Sequence, residues 1–234
     1  VRQDKSSPEY LGLYPFCDSD PDRTSALLLY CRLKQAFPTP GELTSTMTAA
    51  PLVGQPGFTM FGAVNFPRPL AFAPLAGASD TIPDKVSSAI LYVALSSRTQ
   101  GGNTLAVDEG LSGATLPMVL TSGTSVTIFK DGWGNPIPLA RFLESSELDT
   151  DARYTNLKAT AKDPFDVWGK LSGWPNLASK ASAQTTLGVA FNNRNKAITA
   201  YSYGQNKVPD ATLGTIDDIM GYRLRSVGAR GANP

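Results

Sequence analysis

Ser125-Val126-Thr127-Ile128-Phe129-Lys130-Asp131-Gly132-Trp133-Gly134-Asn135-Pro136-Ile137-Pro138-Leu139-Ala140-Arg141-Phe142 is the stretch that decides how this chain folds. Ser125–Phe129 and Ile137–Phe142 are short β-rich runs, and the residues between them are turn formers. Gly132 and Gly134 permit positive φ, Asn135-Pro136 sets an extended exit, and the Asp131 carboxylate can accept amides of the turn. Trp133 is expected to fold over it as a hydrophobic lid. Taken alone, the motif is a well-specified tight turn joining two strands.

Downstream, Leu187–Phe191, Ala197–Tyr203 and Met220–Leu224 are further strand candidates. Asn192-Asn193-Arg194-Asn195 is placed to join the first two as a hairpin. Upstream, the periodicity changes to that of helices. Asp20 can cap a helix opening at Pro21, with Leu27, Tyr30, Cys31 and Lys34 at helical spacing through Thr24–Phe37. Pro38 and Pro40 stop it. Val86, Ile90 and Val93 stripe a second helix over Pro83–Arg98, closed by Gly101-Gly102. Helices first and strands afterwards predict an α+β fold with a small antiparallel sheet.

Residues 38–83 hold eight of the eighteen prolines and only three charges, Glu42, Arg68 and Asp80. Such a stretch is neither a continuous helix nor a central strand. Phe58, Phe61, Phe66 and Phe72 argue against a floppy linker. An ordered, extended excursion over the domain or over a neighbouring subunit is expected. The organisation read from the sequence is therefore 1–37, an N-terminal segment and helix; 38–83, the excursion; and 84–234, a helix plus sheet head.

Composition narrows the function. Among 234 residues there is no histidine, which removes imidazole bases and His-ligated zinc. Lys and Arg total 21 against 20 Asp and Glu, so no net field draws the chain to nucleic acid or anionic lipid. No run of 18 apolar residues spans a membrane, any charged-then-apolar signal is expected to have been removed or left off, and Val1 is not expected to be a natural start. The two cysteines, Cys17 and Cys31, could close a loop of about 15 residues, worth roughly 3 kcal/mol. The alternative is a pair of free thiols, with Cys31 on a helix face.

Two more clusters stand out. Tyr201-Ser202-Tyr203-Gly204-Gln205-Asn206-Lys207 leads to Asp210 and then Gly214-Thr215-Ile216-Asp217-Asp218-Ile219. Asp217, Asp218, Asn206 and Asp210 are hard-oxygen ligands of the kind calcium accepts, although the spacing is not that of an EF-hand. An Asp pair is also a common strand entry or cap. Asp163-Pro164-Phe165-Asp166-Val167-Trp168-Gly169-Lys170 is a third turn with an aromatic lid.

Asp131-Gly132-Trp133-Gly134-Asn135-Pro136 resembles the Asp-Pro-Trp-Gly-Asn-Pro turn of type II secretion pseudopilins. Tyr201–Ile219 resembles the terminal calcium loop of the same family. The helix with Ser88-Ala89-Ile90-Leu91-Tyr92, and Asp163-Pro164-Phe165-Asp166, are similar to the large pseudopilin-like envelope proteins of planctomycete-type bacteria. The matches cover about residues 85–225 and keep their order. The resemblance implies a pilin-like α+β fold: N-terminal helices, a small antiparallel head and a long C-terminal loop. It also implies a non-enzymatic structural subunit of a cell-envelope, periplasmic or extracellular filament or secretion assembly. Calcium would sit in the loop, and self-association or related pilin-like subunits would be the partners. The apolar N-terminal helix of such proteins is absent from this chain, so an anchor is expected ahead of Val1. Asn206 stands where the family has Asp, which removes one negative charge from the loop. Residues 38–83 have no counterpart in a compact pseudopilin.

No Gly-x-Ser-x-Gly elbow, P-loop or dinucleotide fingerprint occurs. Asp149, Asp151, Asp163, Asp166, Asp217 and Asp218 could supply paired carboxylates, but no spacing singles out an acid and a nucleophile. The rival to a structural subunit is a secreted glycan- or surface-binding module. Its platforms would be Trp133, Trp168, Trp174, Tyr201 and Tyr203.

Overall fold

The computed structural model describes residues 5–43, 57–60, 64–67, 70–96, 99–100, 103–104, 112–144, 163–206 and 219–221. They form an α+β structure. Its helices are α1 (Pro8–Phe16), α2 (Pro21–Ala36), α3 (Pro83–Ser96) and α4 (Leu177–Leu187). Three antiparallel pairs of strands are present: β1 (Gly57–Met60) with β2 (Val64–Pro67), β3 (Thr99–Gln100) with β4 (Asn103–Thr104), and β5 (Thr115–Val119) with β6 (Ser125–Phe129). A three-stranded sheet has the order β7 (Leu139–Glu144), β8 (Lys196–Ser202), β9 (Ile219–Met220). Among the described residues no helix is long and apolar enough to cross a membrane.

The chain divides into two compact units that interleave in sequence. The first comprises Val1–Ala36, Leu52–Arg68 and Phe142–Ala197; the second comprises Phe37–Pro51, Pro69–Arg141 and Ile198–Pro234. One division falls beside the expected 37/38 boundary. Two more fall inside the proline-rich stretch, after Pro51 and after Arg68, and 84–234 is shared between both units.

In the first unit, α2 starts as its sequence requires. Asp20 Oδ1 accepts the amides of Asp22 and Arg23 at 2.9 and 3.1 Å, two of the amides that a helix start leaves without partners. Leu27, Tyr30 and Cys31 of α2 are buried with Tyr10 and Leu13 of α1, Val64 and Phe66 of β2, and Trp174, Leu187 and Phe191. Full burial of each large apolar side chain contributes roughly 1.5–3 kcal/mol. Cys17 and Cys31 are both buried in this core without a disulfide between them, so the bridge their spacing allows is not formed. Cys17 follows α1 as its cap and Cys31 lies within α2, and both serve as small apolar side chains.

In the second unit, α3 lies on β6 and buries Val86, Ala89, Ile90 and Ala94 with Leu120 and Ile128. Asp80 precedes the helix and accepts the Ile82 amide at 3.0 Å and the Thr121 amide at 3.0 Å. The Lys85 ammonium pairs with it at 3.1 Å. Leu43, Phe72, Leu75 and Ala78 belong to the same core. The described part of 38–83 therefore supplies core residues rather than an overlay. One of its few charges, Glu42, makes a bidentate pair with Arg141 at 2.8 and 2.9 Å.

Several expected strands need correction. Leu187–Phe191 is not a strand: Leu187 ends α4, and Gly188 turns the chain with φ 66°. Val189 and Phe191 are apolar because an irregular segment inserts them into the core. Asn192–Asn195 accordingly joins no hairpin. The strand expected at Ile137 begins at Leu139, since Pro136 and Pro138 lack the amide a ladder needs. α4 follows β7, so the order is not helices first and strands afterwards. Of Met220–Leu224, Met220 is in β9, and Tyr222–Leu224 lie outside the described residues.

Candidate functional site

The Asp131–Pro136 turn is built around one carboxylate. Asp131 Oδ1 accepts the amides of Trp133 at 2.9 Å and Asn135 at 2.8 Å. Oδ2 accepts the Asn135 side-chain amide at 3.1 Å. The backbone closes the turn through Asp131 N to Asn135 O at 2.9 Å, and Lys130 bridges to Pro136 beyond it. Of the two glycines, Gly134 uses the left-handed region, with φ 85°, and Gly132 does not.

The turn and the start of the C-terminal run meet here. Ser202 Oγ donates to Asp131 Oδ2 at 2.6 Å and accepts the Gly204 amide at 3.0 Å. Asn135 Nδ2 donates to the Gly204 carbonyl at 2.8 Å. Tyr201 N donates to the Pro138 carbonyl at 3.1 Å, just beyond the turn. Asp131 and Asn135 thus hold their own turn and, with the same side chains, the root of the terminal loop. Burial pushes the Asp131 carboxyl up. The Ser202 hydroxyl and the Asn135 and Trp133 donors outweigh it and hold the group below its ordinary value.

Helix α3 clamps the strands on both sides of the turn with consecutive serines. Ser88 Oγ donates to the Phe129 carbonyl at 2.9 Å and accepts the Phe129 amide at 3.0 Å. Ser87 Oγ accepts the Leu139 amide at 3.0 Å. On the same helix, burial raises the Asp84 carboxyl, against a hydrogen bond from the Tyr203 hydroxyl. Burial, then the Tyr201 hydroxyl, raises Tyr203 in turn. Gly221 completes the site at β9. A Cβ there would stand 2.8 Å from the Ala200 carbonyl oxygen and 2.9 Å from Thr199 Oγ1, so the strands close only around glycine.

Trp133 does not cover the turn as expected; it is 47% exposed. The turn is closed instead by the Asp131 carboxylate, which gathers its amides. Trp168 is likewise 59% exposed, at the edge of the Asp163–Lys170 turn. That turn is held by Asp166, whose carboxylate accepts the amides of Lys170 at 2.8 Å and Leu171 at 2.7 Å. Trp174 is the buried one, at 2% exposure, with Nε1 donating to Asp18 Oδ2 at 2.8 Å and the Arg23 guanidinium over its ring.

Of the calcium candidates, Asn206 is exposed in the turn after Ser202, while Asp210, Asp217 and Asp218 lie outside the described residues. Among the described residues no group of three or more acidic or thiol side chains is placed to hold a metal ion. The sequence reading missed Ser87, Ser88 and Ser202 as site residues. Adjacent serines on an apolar helix face, at buried Ser88 above all, are the signal that marks them. No family model matches the chain, and comparison with curated proteins and solved structures found no match.

Proposed function

We propose that the chain is a pilin-like structural subunit of a bacterial cell-envelope or extracellular assembly, and not an enzyme. One observation supports this above all. The two motifs that resemble pseudopilin elements are joined to each other through Asp131 and Asn135 on one side and Ser202 and Gly204 on the other. A turn fixed in this way presents Trp133 on a rigid base, and an exposed indole on a rigid base is suited to contact with a neighbouring subunit. The turn beneath it is already fixed before binding, which lowers the entropic cost of association. Near-neutral net charge allows copies to approach closely.

Calcium, in this proposal, staples the loop beyond Ser202 through Asp217 and Asp218, with Asn206 and Asp210 as further ligands. Its binding would raise the melting temperature by mass action. Calcium is expected to shift melting upward, chelator to reverse it, and Asp217→Ala/Asp218→Ala to abolish the shift. No shift in the parent protein would remove the metal and leave the subunit assignment standing.

Electron microscopy of the protein isolated from its own envelope tests assembly. Ordered filaments or arrays that Trp133→Ala disperses, with melting unchanged, are the expected result. A dispersed monomer in both proteins would sink the proposal. The exposure of Trp133 and Trp168 also favours a second reading, a glycan-binding module. Retention on immobilised glycans, lost with the same substitution, would favour that alternative.

A further inference from the structure

The first unit contains a buried charge cluster that the assembly site does not use. The Lys196 side chain is fully buried, and its Nζ lies 3.1 Å from Asp163 Oδ2, itself on a carboxylate only 5% exposed. Asn192 Oδ1 accepts from the same Nζ at 2.9 Å, and Glu144 Oε1 lies 3.6 Å away. The Tyr30 hydroxyl also donates to Asp163 Oδ2. The Phe165 amide donates to the other oxygen, Oδ1, at 2.9 Å. Aromatic rings enclose the group: Phe142, Phe165 and Phe191 stand 4.9, 5.6 and 5.5 Å from the Tyr30 ring.

A buried ion pair of this kind carries a desolvation penalty of several kcal/mol per ion, which its mutual attraction recovers only in part. Moving one proton from the ammonium to the carboxylate removes both charges and leaves an amine against a carboxylic acid. The amine is then a nucleophile held beside an electrophile in a site closed to bulk water. Fixed proximity of reacting groups is worth effective concentrations of about 10⁵–10⁸ M.

We infer that Lys196 and Asp163 condense to an intramolecular amide, a covalent cross-link between the start of the Asp163 turn and the first residue of β8. The lone pair of Nζ attacks Asp163 Cγ, and the developing negative charge falls on Oδ1, where the Phe165 amide already points. Preorganised donors at such a position stabilise the tetrahedral intermediate. Glu144 takes a proton from the attacking nitrogen and returns it to Oδ2, which departs as water. A Cγ–N bond forms, a Cγ–O bond breaks, and no oxidant or cofactor is consumed. The remaining amide N–H keeps Asn192 Oδ1 as its acceptor. Tyr30 stays protonated throughout, since burial and then the Asp163 charge push its hydroxyl up, so it can donate to the departing oxygen.

The cross-link is independent of the assembly proposal and is read by mass alone. The intact full chain, measured under denaturing conditions, should be lighter than its sequence by one water. Tryptic digestion should yield a branched peptide joining the segments that contain Asp163 and Lys196. Glu144→Gln should return the chain to its full sequence mass with linear peptides. A parent protein at full sequence mass after prolonged incubation at neutral pH overturns the inference, whether or not any variant folds. A Glu144→Gln protein that still loses water overturns the role given to Glu144.

Discussion

The Asp131 carboxylate accepts four hydrogen bonds, from Trp133, Asn135 twice and Ser202. Asp131→Ala should cost about 2–3 kcal/mol in urea unfolding, because a charge-assisted acceptor is lost and its donors are stranded. The pH dependence has a definite sign. Asp20, Asp80 and Asp131 are all held below the ordinary carboxylate value in the fold. The stability they lend is complete above the unfolded value near about 4 and is lost as pH falls through their folded values. Unfolding free energy should therefore drop below about pH 4, and Asp131→Asn should flatten that drop. The cysteines give a second test at this scale. Burial pushes the Cys17 thiol up to about 12 and raises Cys31 well above its usual value. Neither should react with a thiol reagent at pH 8 in the native protein, and both should react at once in denaturant, since the thiolate is the nucleophile. Rapid native labelling would contradict the burial of both. The Asp131 turn was legible because each of its residues has a local backbone role. Ser202 was not, because its partner lies 71 residues away.

Helices differ in how openly their sequence announces them. α2 was legible from Asp20-Pro21 and a regular apolar stripe. α1 carries Pro8 and Pro15 and is apolar nearly all round, so it shows no helical period, although Ser7 accepts the Tyr10 amide at 3.2 Å as a proper N-cap. α4 is rich in Ser, Thr and Ala and buries only Ala183 and Leu187. Its signal is punctuation: Asn176 accepts the Ser179 amide at 3.1 Å, and Gly188 ends the helix. Gly188→Ala tests that ending. A Cβ meets nothing within 4 Å there, so the penalty is the left-handed backbone alone, about 1 kcal/mol by denaturant midpoint. A neutral effect would mean that α4 ends by some other means. β5 escaped notice because Pro117 stands in its middle, a residue that argues against a central strand.

At the scale of the molecule, the α+β class was legible, since helical and strand periods both appear along the chain. The two units were not. Sequence reading looks for contiguous stretches, whereas each unit here is assembled from three separate ones. What fixes a unit is which apolar faces meet, and Tyr30 against Phe142 and Phe191 is a pairing that no local pattern states.

That interleaving bears on how the chain is made. A ribosome releases α2 well before the stretch that ends at Ala197, so the face of Leu27, Tyr30 and Cys31 emerges with most of its cover still unsynthesised. Contacts this distant in sequence close late and leave apolar surface open to wrong partners meanwhile. A product stopped after Arg141 should bind a hydrophobic dye and form amorphous aggregate, whereas the complete chain should do neither. If the shortened product is monomeric and melts cooperatively, α2 has found its cover elsewhere. For the cell, the vulnerable interval is the time taken to translate from Ala36 to Ala197, and a nascent-chain chaperone would have its task there.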